Sequence, residues 1–172
     1  DPFSDTLNDV NDNAAKNEND IFNYNYTLNA SSFKGFGQAR VQYPKWDASA
    51  TAELETFKYQ RNGIFKNERF LDASQGKSES VNFSNINLKS SFTYKITGRH
   101  LVTAQGALLN KAPVLQNVFI NPRENNAIVP NISSEKITTA DLNYYLRMPK
   151  LTGRVSLFYT QFKNATDINF FF

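Results

Sequence analysis

Residues 33–54 alternate in side-chain character with a strictness that leaves few folds open. Phe33, Gly35, Gly37, Ala39, Val41 and Tyr43 are apolar or small, and Lys34, Gln38, Arg40 and Gln42 between them are polar. Successive side chains of a strand point to opposite faces, so a period of two specifies a strand with one apolar and one polar face. If Tyr43-Pro44-Lys45-Trp46 closes a tight turn, Val41 faces Ala48, Ala39 faces Ala50, Gly37 faces Ala52 and Gly35 faces Leu54. The same register sets Gln42 against Asp47, Arg40 against Ser49, Gln38 against Thr51 and Lys34 against Glu55, with Phe36 against Glu53 as the exception. A single register that sorts both faces predicts an antiparallel hairpin.

Two more hairpins follow the same rule. Ile86, Leu88, Ser90, Phe92, Tyr94 and Ile96 share a face. A turn at Gly98-Arg99-His100 predicts Ile96 opposite Val102, Tyr94 opposite Ala104, Phe92 opposite Gly106 and Ser90 opposite Leu108, with rings covering small residues. Met148-Pro149-Lys150-Leu151 closes the third, pairing Leu146 with Gly153, Tyr144 with Val155, Leu142 with Leu157 and Ala140 with Tyr159. Its polar side pairs Arg147 with Thr152, Tyr145 with Arg154 and Asn143 with Ser156, and Asp141 meets Phe158. Proline cannot take the positive φ of a type I′ turn, so both Pro-Lys turns are predicted to be of another type or slightly wider. Upstream, alternation begins with Phe22, Tyr24, Tyr26, Leu28 and Ala30 and changes parity past Ser31-Ser32. That change predicts either a bulge in one strand or a turn between two. Residues 1–20 are acidic, Asn-rich and aperiodic, which predicts a polar extracellular loop.

The hairpins, at about 33–57, 82–109 and 137–163, are separated by long polar segments at 61–80 and 110–136. Short turns on one rim and long loops on the other are the plan of an outer-membrane barrel, and strands of about 10 residues match a bilayer. Tyr43 and Trp46 stand where an interfacial aromatic girdle would lie. Fifteen Phe and eight Tyr against one Trp, with a mean hydropathy of −0.52, suit half-apolar strands. No apolar stretch approaches the ~18–20 residues of a membrane helix, which leaves spanning by strands open. A soluble sandwich alternates in the same way, but its strands are shorter. Lys34, Arg40, Glu53, Glu55, Asp141 and Arg154 on the polar faces also suit a wet lumen. The expected fold is therefore all-β: an antiparallel up-and-down transmembrane β-barrel in the outer membrane, present as a partial run of about 6–7 strands.

The stretch after the second hairpin carries a family resemblance. Asn110-Lys111-Ala112-Pro113 leads through Asn126 and Val129-Pro130 to Ser134-Glu135-Lys136. It resembles the Arg-Ala-Pro-like element and Asn…Leu-x-Pro-Glu stretch of TonB-dependent outer-membrane receptors. Lys111 stands in place of the usual Arg, and Pro130-Asn131 in place of Pro-Glu. Asn117-Val118-Phe119-Ile120-Asn121-Pro122-Arg123, Tyr59-Gln60-Arg61-Asn62-Gly63 and Tyr159-Thr160-Gln161-Phe162 are similar to a subgroup with a carboxypeptidase-like regulatory domain before its plug. The resemblance covers roughly residues 20–172. It implies an importer of a scarce nutrient (a metal chelate, vitamin or glycan) whose barrel of about 22 strands surrounds a plug. The implied partners are outer-membrane lipid, the plug and remaining strands of the same receptor, a TonB-type energising protein acting through parts outside these residues, and a small-molecule or glycan ligand. Two other readings fit the pattern: a complete barrel of about eight strands serving as an adhesin or anchor, and a secreted, soluble β-sandwich that binds carbohydrate.

Little in the chain points to chemistry. Glu53 and Glu55 lie two apart on one strand face, and paired carboxylates can do acid–base work. With Lys34 and Arg40 near them in the register, structural lumen charges are the expected role. His100 is the single histidine, in a short turn, and cannot build a triad or metal site alone. The absence of cysteine removes disulfides and thiolate chemistry. A net charge of +3, with Lys and Arg scattered, predicts no nucleic-acid groove. No enzyme activity, cofactor or metal is expected. Arg123, Glu124, Asn125 and Asn126, in a long loop on the outer rim, are the candidates for facing a ligand. Asn131-Ile132-Ser133 and Asn164-Ala165-Thr166 are sequons of the chance kind in an Asn/Ser/Thr-rich chain, and Asn169-Phe170-Phe171-Phe172 reads as the start of a further loop. The first residues show no basic-then-apolar secretion signal, and Asp1-Pro2-Phe3 is expected to be a processed end or an internal point of a longer chain. Arginine at Ala50 or Leu142 should block membrane assembly, while changes at Thr51 or Asn143 should be tolerated.

Overall fold

The computed structural model describes residues 17–20 and 24–166. The chain is all-β, with seven antiparallel strands in one sheet that does not close on itself. They are β1 (Tyr26–Gln42), β2 (Trp46–Gly63), β3 (Gly76–Lys77), β4 (Val81–Lys95), β5 (His100–Lys111), β6 (Glu135–Met148) and β7 (Leu151–Lys163). The order across the sheet is β1-β2-β4-β5-β6-β7, and β3 pairs with the last two residues of β2. The main strands are 12 to 18 residues long, more than twice the usual ~5–6. No helix is long and apolar enough to cross a membrane, which says nothing about strands.

The first and third hairpins adopt the predicted pairings rung for rung, Phe36–Glu53 and Asp141–Phe158 included. Among the described residues other than glycine, only Asn19, Asn131 and Asn164 have positive φ, so both Pro-Lys turns are built without left-handed residues. The second hairpin differs. Tyr94 pairs with Val102, Phe92 with Ala104, Ser90 with Gly106 and Leu88 with Leu108, a slip of two residues that keeps every side chain on its predicted face. The turn is tighter because the Thr97 N–H bonds the His100 carbonyl (3.2 Å) and Thr97 Oγ1 accepts from the N–H groups of Arg99 and His100. His100 thus opens β5 rather than standing in the turn. No aromatic ring covers Gly106; its rung neighbours are Ser90 and Ala140.

The change of parity at Ser31-Ser32 has a different cause from either one predicted. The β1–β2 pairing runs from Tyr26–Gly63 to Gln42–Asp47 without interruption, so there is neither a bulge nor a turn. What changes is which face of a regular strand is apolar. From Ser32 toward the first turn the apolar residues occupy one face, hereafter the outer face. On the other side of Ser32, toward the long loops, that face carries Thr27, Asn29, Ser31, Lys58 and Gln60, and the apolar residues move to the inner face. There Leu28, Phe57, Tyr59, Val81 and Phe83 pack with Ala112, Leu115, Val118, Phe119, Ile128 and Ile132 of the segment between β5 and β6. Val118 and Phe119 are completely buried, each stabilising the packing by roughly 1.5–3 kcal/mol. This small core sits at the loop end of the sheet. Phe22, most of residues 1–20 and Asn169–Phe172 lie outside the described residues.

Over the rest of the sheet the outer face is apolar and open. Phe33, Val155 and Leu157 are 72%, 70% and 72% exposed, and no described layer covers them. The apolar band runs obliquely to the strands. One rung holds Gly35, Leu54 and Ile86 on β1, β2 and β4, then continues as Lys136 and Lys163 on β6 and β7, with Asn110 of β5 bonded to the Ile86 carbonyl (2.6 Å). The upper edge of the band therefore passes from Phe33 on β1 to Ala140 and Tyr159 on β6 and β7, a slide of six residues. At the other end the rung Trp46–Tyr94 reaches Tyr144 and Val155, four residues short of the last turn. Four to six residues over five strand spacings correspond to ~13–20 Å in ~24 Å, a slope of roughly 30–40°.

Candidate functional site

The inner face carries the charges predicted for a lumen, and some of them are brought together. Glu53 bridges Lys34 (2.9 Å) and Lys89 (2.8 Å). Lys34 stands directly opposite Glu55 but pairs diagonally with Glu53. Lys89, unremarked in the sequence, completes the cluster because Glu53 also pairs with Asn87 beside it on β4. Arg40, six residues along β1 from Lys34 and opposite Ser49, is not brought to the glutamates. Lys95 pairs with Asp47 (2.7 Å) near the turns.

Asp141 and Arg154 meet through Asn143. Arg154 donates to Asn143 Oδ1 from Nε (3.1 Å) and Nη2 (2.7 Å), the Ser156 hydroxyl donates to the same oxygen (2.7 Å), and Asn143 Nδ2 donates to Asp141. The Arg154 guanidinium also lies over Tyr145 at 5.4 Å. Asn143 has 0% exposure, so the expected tolerance to its replacement does not follow from its facing alone. It is the hub on which its neighbours' hydrogen bonds converge.

The loop end is organised by Arg61, a residue the sequence reading assigned to the segment 61–80 and that lies instead in β2. The inner-face series Phe57, Tyr59, Arg61, Gly63 continues the strand alternation and was the available signal. Arg61 is 1% exposed. Its Nε donates to the Pro122 carbonyl (2.7 Å), and its Nη1 donates to the Ser74 carbonyl (2.8 Å) and to Asn126 Oδ1 (2.5 Å). Its guanidinium stands 5.2 Å from the Tyr26 ring centroid. Burial lowers the Arg61 pKa from its ordinary value, with Tyr26 acting in the opposite direction. Burial also raises the Tyr59 pKa, helped by Glu55. Gly63 makes the close approach possible: a Cβ there would stand 1.8 Å from the Ser74 carbonyl oxygen.

The two long loops are thereby joined. Ser78 is held on Arg61 by two bonds, its N–H to the Arg61 carbonyl (2.8 Å) and its Oγ from the Arg61 N–H (2.9 Å). The Asn126 N–H reaches the Ala73 carbonyl (2.7 Å). Asn67 caps the short 3-10 turn Glu68–Phe70 by accepting from the Arg69 N–H (2.9 Å). Phe119 and Ile128 form an isolated antiparallel bridge, so residues 118–129 fold back as a small hairpin.

The four predicted ligand-facing residues separate into two kinds. Asn125 is buried, with its Oδ1 accepting from the Ala127 N–H (2.9 Å), and Asn126 serves Arg61. Arg123 is exposed and lies over Tyr24 at 5.2 Å, and Glu124 is 3.8 Å from Arg69. Only Arg123 and Glu124 are thus placed to meet a ligand from solution. Among the described residues no His, Cys, Asp or Glu cluster could hold a metal ion. His100 shares a hydrogen bond with the Tyr144 hydroxyl (2.6 Å) at the opposite end of the sheet from these loops. The arrangement offers a braced polar wall on the inner face and a braced rim of loops above it. In comparison with known proteins, the chain matches no family model, no curated protein and no solved structure.

Proposed function

We propose that this chain is a run of membrane-spanning strands from the barrel of a TonB-dependent outer-membrane transporter, which imports a scarce nutrient such as a metal chelate, vitamin or glycan. The observation that carries the membrane part is the oblique, exposed apolar band on the outer face. Soluble monomers seldom expose contiguous apolar patches beyond a few hundred Å². The slope of roughly 30–40° is close to the ~35–45° tilt of strands in outer-membrane barrels. Along β1 the band extends from Phe33 to Tyr43. Ten residue steps at ~3.4 Å, tilted by ~40°, give a height near the ~25 Å of a barrel's apolar belt. Tyr43 and Trp46, their rings 4.5 Å apart, stand at its lower edge beside the first turn, as an interfacial girdle requires, while Tyr94 and Tyr144 on the same rung lie further inside the band because the strands are tilted. The inner face is mostly polar, with Glu53 ion-paired to Lys34 and Lys89, and Phe36 and Phe158 stand exposed among its polar residues, as suits contact with water and a plug.

The receptor part rests on the motif resemblance. The edge strands β1 and β7 fit it, since open edges of this length call for further strands. The soluble carbohydrate-binding sandwich is disfavoured because no second sheet covers the outer face among the described residues. The reading frame around these residues tests the proposal: a plug domain upstream and further barrel strands on both sides are expected. A frame that closes a complete barrel of about eight strands with no plug would overturn the transporter reading in favour of the anchor. Fractionation of the full protein with outer membranes is the second expectation, and recovery in soluble form without detergent would contradict it.

A further inference from the structure

The two ends of the sheet differ in charge. Within two residues of the three short turns lie five cations, Lys45, Lys95, Arg99, Arg147 and Lys150, and one acid, Asp47. Asp47 is already engaged by Lys95 at 2.7 Å. Lys45, Arg99, Arg147 and Lys150 are exposed and form no salt bridge with a described carboxylate. The loop end is mixed by comparison, with Glu68, Asp72, Glu79 and Glu124 interspersed among its cations.

Every short turn presents a cation at its tip: Lys45, Arg99 and Lys150. Backbone bonds tie successive turns together, from the Lys95 N–H to the Lys45 carbonyl and from the Arg147 N–H to the Arg99 carbonyl, both 2.8 Å. The cations are therefore held in a row along one rim, about two strand spacings or ~10 Å apart. Directly above Lys45 are the Tyr43 and Trp46 rings, 4.5 Å apart, and above the other two turns the apolar band begins with Ile96, Met148 and Leu151, all exposed. A row of exposed cations, without a described acidic partner, just outside the edge of the apolar band matches, in both charge and depth, a layer of anionic headgroups with acyl chains above it.

We propose that this rim binds the headgroups of anionic phospholipids in the leaflet that the short turns enter. The proposal deepens the membrane reading and rests on it. The cations compensate the headgroup phosphates, while Tyr43 and Trp46 mark the depth at which the acyl chains begin. Such binding selects anionic over zwitterionic lipid and weakens as salt screens it.

Trp46, the single tryptophan of these residues, reports on the site from its edge. The full protein, with any tryptophan outside these residues replaced by Phe, is inserted into vesicles of phosphatidylcholine or of phosphatidylcholine with phosphatidylglycerol. Quenching of Trp46 by brominated forms of each lipid measures which one occupies the contact. Brominated phosphatidylcholine should quench, and brominated phosphatidylglycerol should be preferred several-fold at low salt. In the triple variant K45Q/R99Q/K150Q that preference should fall to about parity, with heat-modifiable migration reporting that the barrel still folds. High salt should reduce the preference in the unsubstituted protein, an arm independent of the variant's folding. Equal quenching by the two lipids, or a preference kept by the folded variant or at high salt, would overturn the headgroup proposal and leave the membrane reading standing. Absence of quenching by either lipid would remove both.

Discussion

Arg61 and Asn126, 65 residues apart in sequence, share a hydrogen bond of 2.5 Å that ties the end of β2 to the far loop. The same guanidinium holds Ser74 and Pro122, so one buried side chain braces both long segments above the sheet. Its replacement by Ala should loosen these segments without unmaking the strands below. A hydrogen bond to a charged group contributes ~1.5–3 kcal/mol, so amide exchange over 64–80 and 112–134 should accelerate by roughly tenfold or more. Amides around Ala50 should keep their protection. Lysine at 61 retains the charge but loses the planar fork, and should restore little.

Gly63 gives a sharper probe of the same junction. A methyl at this position meets the Ser74 carbonyl oxygen at 1.8 Å and Arg61 Nη1 at 2.6 Å. Gly63→Ala should displace residues 74–76 and cost about 1–3 kcal/mol of local stability. Limited proteolysis should then cut within 64–80, where the unsubstituted protein resists.

The sequence is most informative where a short turn fixes one end of a pairing. Pro44-Lys45 and Pro149-Lys150 each leave one compact way to close, and both neighbouring registers follow rung for rung. The segment 96–99 has no such anchor. A period of two cannot distinguish registers that differ by two, because both put every side chain on the same face, and there the reading slipped. The inversion of faces at Ser31-Ser32 was visible as a change of parity, but its cause, a loop core on the inner face, depends on Val118 and Phe119 far along the chain. Arg61 was hidden for the same reason: Ser74, Pro122 and Asn126 have no local signature of a shared partner.

Asn143 separates facing from function within the polar face. Thr51 and Asn143 both lie there, but Asn143 Oδ1 accepts from Arg154 and Ser156 in full burial. Asn143→Ala should destabilise the β6–β7 hairpin by about 1.5–3 kcal/mol, the value of a charge-assisted hydrogen bond, while Thr51→Ala should change little. Denaturant titration of the folded protein, followed by heat-modifiable migration, distinguishes the two.

On the outer face the sign reverses. Ala50 lies near the middle of the apolar band, and Leu142 is 49% exposed within it. Arginine at either position should cost about 2–4 kcal/mol in a bilayer and reduce assembly in membranes. Equal assembly of Ala50→Arg and Thr51→Arg would contradict the facing.

The outer face as a lipid-facing surface is tested most directly by a cysteine scan along β2, made clean by the absence of native cysteine from these residues. Spin labels placed singly at positions 50 to 55 of the full protein in vesicles report collisions with oxygen, which dissolves in lipid, and with a water-soluble nickel chelate. Labels at Ala50, Ala52 and Leu54 should favour oxygen and those at Thr51, Glu53 and Glu55 the chelate, with a period of two. Uniform access to the chelate along the strand, or the opposite phase, would contradict the account.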